Sequence, residues 1–152
     1  MRSERTNLFG QPIGAEIKNW KGALAPGRSS ISGRLCLIEP LDIQRHLDDL
    51  DKAFSLDPDG KLWTYMANGP FESKASFGTW LTKVSETEDP LFHAIIDQLT
   101  GKAVGLAAYM RINPAAGSIE IGSISFSPAL QQTALATEAM FLFMQRAFEE
   151  LN

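Results

Sequence analysis

Between Leu91 and Phe126 the apolar residues recur with a period of two, and near the end that period changes sides. Leu91 to Asp97 reads as a strand, and Thr100-Gly101 is close enough for a hairpin turn. Val104, Leu106, Ala108, Met110 and Ile112 alternate through a second strand, Ala103 to Ile112. Asn113-Pro114 and Gly117 turn the chain again into a third, Ser118 to Phe126. Here Ile119 and Ile121 are odd-numbered, whereas Ile124 and Phe126 are even. Side chains alternate faces along a strand, so one buried face cannot hold all four residues without an extra residue. A β-bulge at Gly122–Ser123 meets that requirement. The other solution is a strand buried on both faces.

The flanking segments carry helical periods. Arg34 to Ile38 reads as a first strand, and Pro40 opens a helix. Ile43, Leu47, Leu50 and Phe54 take one side of it, with Asp42, Arg45, Asp48, Asp49 and Asp51 opposite. Asp57-Pro58-Asp59-Gly60 is a turn. Phe77, Trp80, Leu81 and Val84 make the stripe of a second helix over 71–84. Ser127-Pro128 ends the third meander strand and starts a long helix, 129–151, whose 139–144 segment is apolar all round and needs cover on several sides. The fold class is therefore α/β (α+β): a mixed, largely antiparallel sheet flanked by helices. Residues 33–152 form one domain. Residues 1–32, rich in Gly, Pro and Ser around Trp20, are either an arm laid over it or a flexible tail.

Several functions are excluded. The chain has 14 Lys plus Arg against 18 Asp plus Glu, a net charge of −4, so it lacks the basic footprint of a nucleic-acid protein. No apolar run is long enough to span a membrane. Met1 to Thr6 are charged and polar, without the apolar core of a secretory signal. The expectation is a cytoplasmic protein. The single cysteine, Cys36, forms no intrachain disulfide. The two histidines lie far apart, which leaves no metal-ligand spacing. His46 is expected on the solvated side of its helix, His93 as a satisfied strand residue, and Cys36 as a buried thiol. The aspartates at 42, 48, 49 and 51 read as a solvated helix face, with a metal or polyamine site as a second reading.

The third strand's exit into the long helix is where chemistry is most plausible. Ile124-Ser125-Phe126-Ser127-Pro128 leads into Gln131-Gln132-Thr133-Ala134-Leu135-Ala136-Thr137-Glu138-Ala139. Unpaired N–H groups at a helix N-terminus attract anions, and small residues let a phosphate approach the backbone. No Lys or Arg lies in this stretch, so backbone dipoles would carry the attraction. An ordinary capped helix is the alternative.

In order and spacing these segments resemble the GNAT superfamily of acetyl-CoA-dependent N-acetyltransferases, in particular the branch that includes RimJ and RimL. Gly33-Arg34-Leu35-Cys36-Leu37-Ile38-Glu39-Pro40-Leu41 is similar to the family's opening strand and helix start. Asp97-Gln98-Leu99-Thr100-Gly101-Lys102-Ala103-Val104-Gly105 is similar to its Asp-x-x-Thr-Gly-Lys hairpin. Ile119-Glu120-Ile121-Gly122 is similar to the branch's Glu-Ile-Gly strand. Gln131 to Ala139 is similar to its Gln/Arg-x-x-Gly-x-Gly/Ala loop, with Ala134 where Gly is usual.

The resemblance, which covers 33–151, implies direct transfer of acetyl from acetyl-CoA to a primary amine, with no metal. It implies that pantetheine pairs with the backbone of Ile124, Ser125 and Phe126. Pyrophosphate would then lie on the N–H groups of Gln132, Thr133, Ala134, Leu135, Ala136 and Thr137, with Gln131 also among the cofactor-binding residues. Glu120 would be the base, or else a structural carboxylate; Glu138 reads as structural. Family members continue past this helix with further strands and often a general-acid tyrosine, so the chain reads as the first two-thirds of such an enzyme. Two expectations follow: an acetyltransferase completed by self-association through 139–151, or a non-catalytic remnant that self-associates or binds CoA weakly.

Overall fold

The computed structural model describes residues 5–151; residues 1–4 and 152, including most of the charged start, lie outside the described residues. β1 (Arg5–Thr6) and β2 (Pro12–Ile13) pair as a small hairpin in the arm. The remaining elements are β3 (Ile31–Ser32), β4 (Cys36–Pro40), α1 (Ile43–Phe54), a single 3-10 turn at Lys61–Trp63, α2 (Lys74–Ser85), β5 (Leu91–Asp97), β6 (Lys102–Asn113), β7 (Ser118–Phe126) and α3 (Ala134–Glu149). The order β3-β4-β5-β6-β7 makes one five-stranded sheet, and every neighbouring pair is antiparallel.

Alternation along the strands builds two cores. Phe92, Ala94, Ile96, Leu106 and Ala108 face α1 and α2. There they meet Leu50 and an aromatic cluster of Phe54, Trp63, Phe71, Phe77 and Trp80, in which Phe54 and Trp63 make edge-to-face contacts and Phe77 stacks on Trp80. Leu50 is wholly buried, which contributes about 1.5–3 kcal/mol over an exposed leucine. Leu91, Ile95, Ala107 and Tyr109 face α3 and meet Ala139, Leu142 and Phe143. The Tyr109 hydroxyl donates to the Phe143 carbonyl at 2.7 Å, fixing α3 on the sheet.

The side-switch in the third meander strand is a bulge. Leu106 pairs with Ser125 and Ala108 with Gly122, so β7 spends three steps where β6 spends two. Ser123 supplies the extra residue, at φ 49°. In consequence Ile119, Ile121 and Phe126 all pack against the α3 core, despite their opposite parity.

Four expectations need correction. The first strand is Cys36–Pro40, two residues later than expected, and Asp42 rather than Pro40 starts the helix: its carboxylate accepts from the Gln44 and Arg45 amides. α2 begins at Lys74, because Ser73 and Ser76 cap it reciprocally, and Phe71 belongs to the aromatic cluster before it. The long helix begins at Ala134, not near 129: the Leu130 and Gln131 amides both turn back to the Ser127 carbonyl, and Thr133 is extended. Finally, His46 is not solvated but 2% exposed. Its Nδ1 lies 3.1 Å from the Asp42 amide, which donates to it, so Nε2 carries the proton and donates to Glu39 at 3.1 Å.

The arm lies on the domain from Trp20 onward. Trp20 Nε1 donates to the Ala115 carbonyl at 2.7 Å, and the Leu24 amide to the Leu151 carbonyl at 2.6 Å. The buried Arg146 guanidinium donates to the Ser29 and Ser30 carbonyls. Leu8, Phe9 and Ile17, further upstream, are exposed.

Candidate functional site

β7 is the edge strand of the sheet, with β6 on one side and no described strand on the other. Past its bulge, Ile124 is 38% exposed, Ser125 is buried and Phe126 is half-buried toward α3. The backbone expected to receive an extended ligand therefore sits at an open edge, where strand addition is geometrically available.

The loop after β7 is braced at three points. Leu130 is buried and fills the space left by Gly105; a Cβ at Gly105 would lie 2.5 Å from its Cδ2. The Gln131 amide side chain donates to the Phe126 carbonyl at 2.9 Å. The Thr133 hydroxyl donates to the Leu130 carbonyl at 2.7 Å and accepts the Ala136 amide at 3.1 Å. Gln132, at φ 59°, makes the left-handed turn between them.

These braces sort the expected contacts. The Ala136 amide is taken by Thr133 Oγ1, its side chain is buried, and the Thr137 amide opens the helical ladder at the Thr133 carbonyl. The amides of Gln132, Thr133, Ala134 and Leu135 have no acceptor among the described residues. These four donors lie at the positive end of a 16-residue helix, the kind of place that attracts an anion without a cationic side chain. Ala134 is the first helical residue and is exposed, so its methyl group leaves the turn to Gln132. Beside the loop lies an open, largely apolar trough of about 980 Å³, lined by Phe126, Gln131, Thr133, Ala134, Met140 and Phe141 among others. A smaller hollow of about 340 Å³ lies between the arm and the end of α3, lined by Leu24, Ile119, Met144 and Leu151 among others; no set of polar groups converges in it.

The acetyltransferase (GNAT) domain profile matches residues 36–152. The chain belongs to the GNAT acetyltransferase family. A GCN5-related N-acetyltransferase from Brucella melitensis superposes with a TM-score of 0.86 at 43% identity, over 89% of this chain and 61% of that one. A probable acetyltransferase of the GNAT family from Chromobacterium violaceum ATCC 12472 gives 0.80 at 35% identity, over 91% and 69%. An acetyltransferase of the GNAT family from Bacillus anthracis, at 18% identity and a TM-score of 0.64 over 80% and 68%, shares the fold. This GNAT chain thus spans 61% of the length of its Brucella relative. No curated protein matches it.

Glu120 stands on β7 before the bulge, opposite Met110 and between Ile119 and Ile121, so it faces the α1–α2 side of the sheet. Its Oε2 is ion-paired to the Arg111 guanidinium, and its side chain is 42% exposed. Glu138 is structural: its carboxylate accepts the Arg34, Leu35 and Cys36 amides at 3.0, 2.6 and 2.9 Å. Burial and the adjacent Glu138 carboxylate push the Cys36 thiol up to about 12, which removes it as a nucleophile. Burial pushes His93 down to about 4, and its Nε2 has no partner among the described residues, so of this strand residue, expected to be satisfied, only one ring nitrogen is so. Among the described residues no cluster of His, Cys, Asp and Glu is built to hold a metal, and no helix is long and apolar enough to cross a membrane.

The Asp89–Arg111 contact was not legible in the sequence. The Asp89 carboxylate accepts the Arg111 and Ile112 amides at 2.8 and 2.9 Å. Its one local signal is the Asp89-Pro90 pair, which marks a turn and nothing more.

Proposed function

We propose that this GNAT chain binds acetyl-CoA and, as an N-acetyltransferase of the RimJ/RimL-like branch, moves the acetyl group to a primary amine such as a protein N-terminus or a small amine in the cytoplasm. The observation that carries the reading is the set of four unpaired amides, Gln132 to Leu135, at the end of an open-edged, bulged strand. The donors suit a pyrophosphate. The free edge of Ile124–Phe126 suits an extended amide chain, as pantetheine is, lying as an added strand.

In this reading Glu120 takes the proton from the incoming ammonium, directly or through water. The amine nitrogen then bonds to the thioester carbon, the C–S bond breaks, and the thiolate leaves and takes up a proton. Nothing covalent forms on the protein. The carboxylate's Oε1 is the oxygen available for this step, because Oε2 is held by Arg111. A second copy of the chain would cover the α3 face where Phe141 and Met144 are 54% and 45% exposed.

Calorimetric titration of acetyl-CoA into the folded chain tests the donor site, with thiol release in the presence of an amine panel and solution mass measured on the same sample. Micromolar binding with turnover is the expected result. A folded protein that binds no acetyl-CoA overturns the reading. Binding without turnover of any amine supports the second reading, a non-catalytic CoA-binding domain.

A further inference from the structure

Opposite Glu120 the sheet carries another irregularity. Met110 pairs with Glu120 and Asn113 with Ser118, so here β6 has the extra residue. Arg111 adopts φ 49°. That conformation is unfavourable for a residue with a side chain and persists only where the surroundings hold it. The holder is Asp89, whose two carboxylate oxygens each accept one amide of the bulge, Arg111 at 2.8 Å and Ile112 at 2.9 Å. So fixed, Arg111 reaches Glu120 with Nη1 on Oε2.

The other oxygen is treated differently. A Cβ at Gly122 would lie 3.0 Å from Glu120 Oε1 and 2.4 Å from Met110 Sδ. The carboxylate therefore leans over the glycine that begins the β7 bulge, toward the open part of the strand. Oε1 has no donor among the described residues. One oxygen is held and the other is presented.

We propose that Arg111 is a positioning residue for Glu120, set in place by the Asp89 carboxylate through the β6 bulge. This rests on Glu120 as the base. The side chains of Arg111 and Glu120 are 73% and 42% exposed. Such a pair contributes little to stability. What it does is restrict the rotamers of a carboxylate whose chemistry depends on orientation. Asp89 acts from 22 residues away in sequence without touching Glu120.

The test uses the full chain with Arg111→Met, Arg111→Lys, Asp89→Asn, Glu120→Gln and the Arg111→Met/Glu120→Gln double variant. Thiol release from acetyl-CoA is followed with the amine panel, and the side-chain 13C carboxylate resonance of Glu120 is recorded at pH 7. Arg111→Met should lower kcat about tenfold at unchanged KM for acetyl-CoA, and Arg111→Lys should restore most of it. Added to Glu120→Gln, Arg111→Met should cost nothing further, since it acts through that carboxylate. Asp89→Asn should move the Glu120 resonance, a readout that does not need turnover. If Glu120→Gln abolishes turnover while Arg111→Met stays within twofold of wild type, the positioning role is overturned and the base stands. If Glu120→Gln leaves turnover intact, the base reading fails. If no amine is turned over, a Glu120 resonance unmoved by both Arg111→Met and Asp89→Asn overturns the proposal.

Discussion

Glu138 of α3 accepts the Leu35 amide at 2.6 Å, across 103 residues of sequence. With the Arg34 and Cys36 amides on the same carboxylate, it closes the start of β4 onto the helix that follows the candidate pyrophosphate loop. The loop and the first long strand are thereby one mechanical unit.

Removing that carboxylate leaves three amides without their acceptor. Glu138→Ala should lose about 1–3 kcal/mol of stability at pH 7, read by urea unfolding. Partial desolvation opposes ionisation of Glu138, but the amides of Leu35, Cys36 and Arg34 outweigh it and hold the carboxyl below its ordinary 4.5. A carboxyl depressed on folding stabilises above its unfolded value and loses that contribution as pH falls through the folded value. The wild-type advantage over Glu138→Ala should therefore be constant above about pH 5 and shrink below about pH 4.5.

His93 titrates in a different window. Its ring sits edge-on to Tyr109 and Phe143, wholly buried. Burial lowers it from 6.5 to about 4. The unfolded chain then binds a proton that the folded one refuses, so stability should fall as pH drops from about 6.5 to about 4. At about 1.4 kcal/mol per unit the full effect is about 3 kcal/mol. His93→Phe should remove this slope while losing the bond to the Leu91 carbonyl. Unfolding midpoints against pH for both proteins decide it; parallel curves between pH 6.5 and 4 would refute the assignment.

The loop cap offers a conservative pair. Thr133→Ala removes both the acceptor for the Ala136 amide and the donor to the Leu130 carbonyl. It should cost about 1 kcal/mol and weaken acetyl-CoA binding. Thr133→Ser should retain both properties. Equal affinities for all three proteins would show that the cap does not shape the donor site.

Gly105 tests the same loop from beneath. An added methyl would meet Leu130 Cδ2 at 2.5 Å and the Ser125 carbonyl oxygen at 3.1 Å. Leu130 has no solvent into which to retreat. Gly105→Ala should cost about 1–3 kcal/mol by overpacking and raise the Kd for acetyl-CoA by displacing the loop. Thermal unfolding and calorimetry measure the two effects separately.

Much of this was written locally. The parity of Ile119, Ile121, Ile124 and Phe126 called for either an extra residue or burial on both faces, and the structure has the extra residue, Ser123. Along the middle of β6 the alternation holds, with Leu106 and Ala108 toward α1 and α2 and Ala107 and Tyr109 toward α3, but Val104 and Ile112, in phase with Leu106 in the sequence, pack on the α3 side because the ladder shifts register near each end of the strand. Such periods are legible because one step along a strand turns a side chain to the other face, whatever lies there. The turn proposed to take an anion was marked in the sequence as a stretch of small residues, but its limits were not. Ser127 and Thr133 end the turn and start the helix through hydrogen bonds that compete with helix propensity.

The amino-acid sequence by itself determined the meander, the parity switch in its third strand, the apolar stripes of the helices and the place of the small-residue turn after that strand, because each depends on residues within a few positions of one another. The tertiary structure alone decided which polar groups meet. His46 is buried because β4 and α1 turn a corner that brings Glu39 over it. Glu138 finds the Leu35 amide, and Asp89 the amides of Arg111 and Ile112, across separations that no period encodes. A hydrogen bond depends on distance and angle in space, and those are set only when both core faces of the sheet have closed.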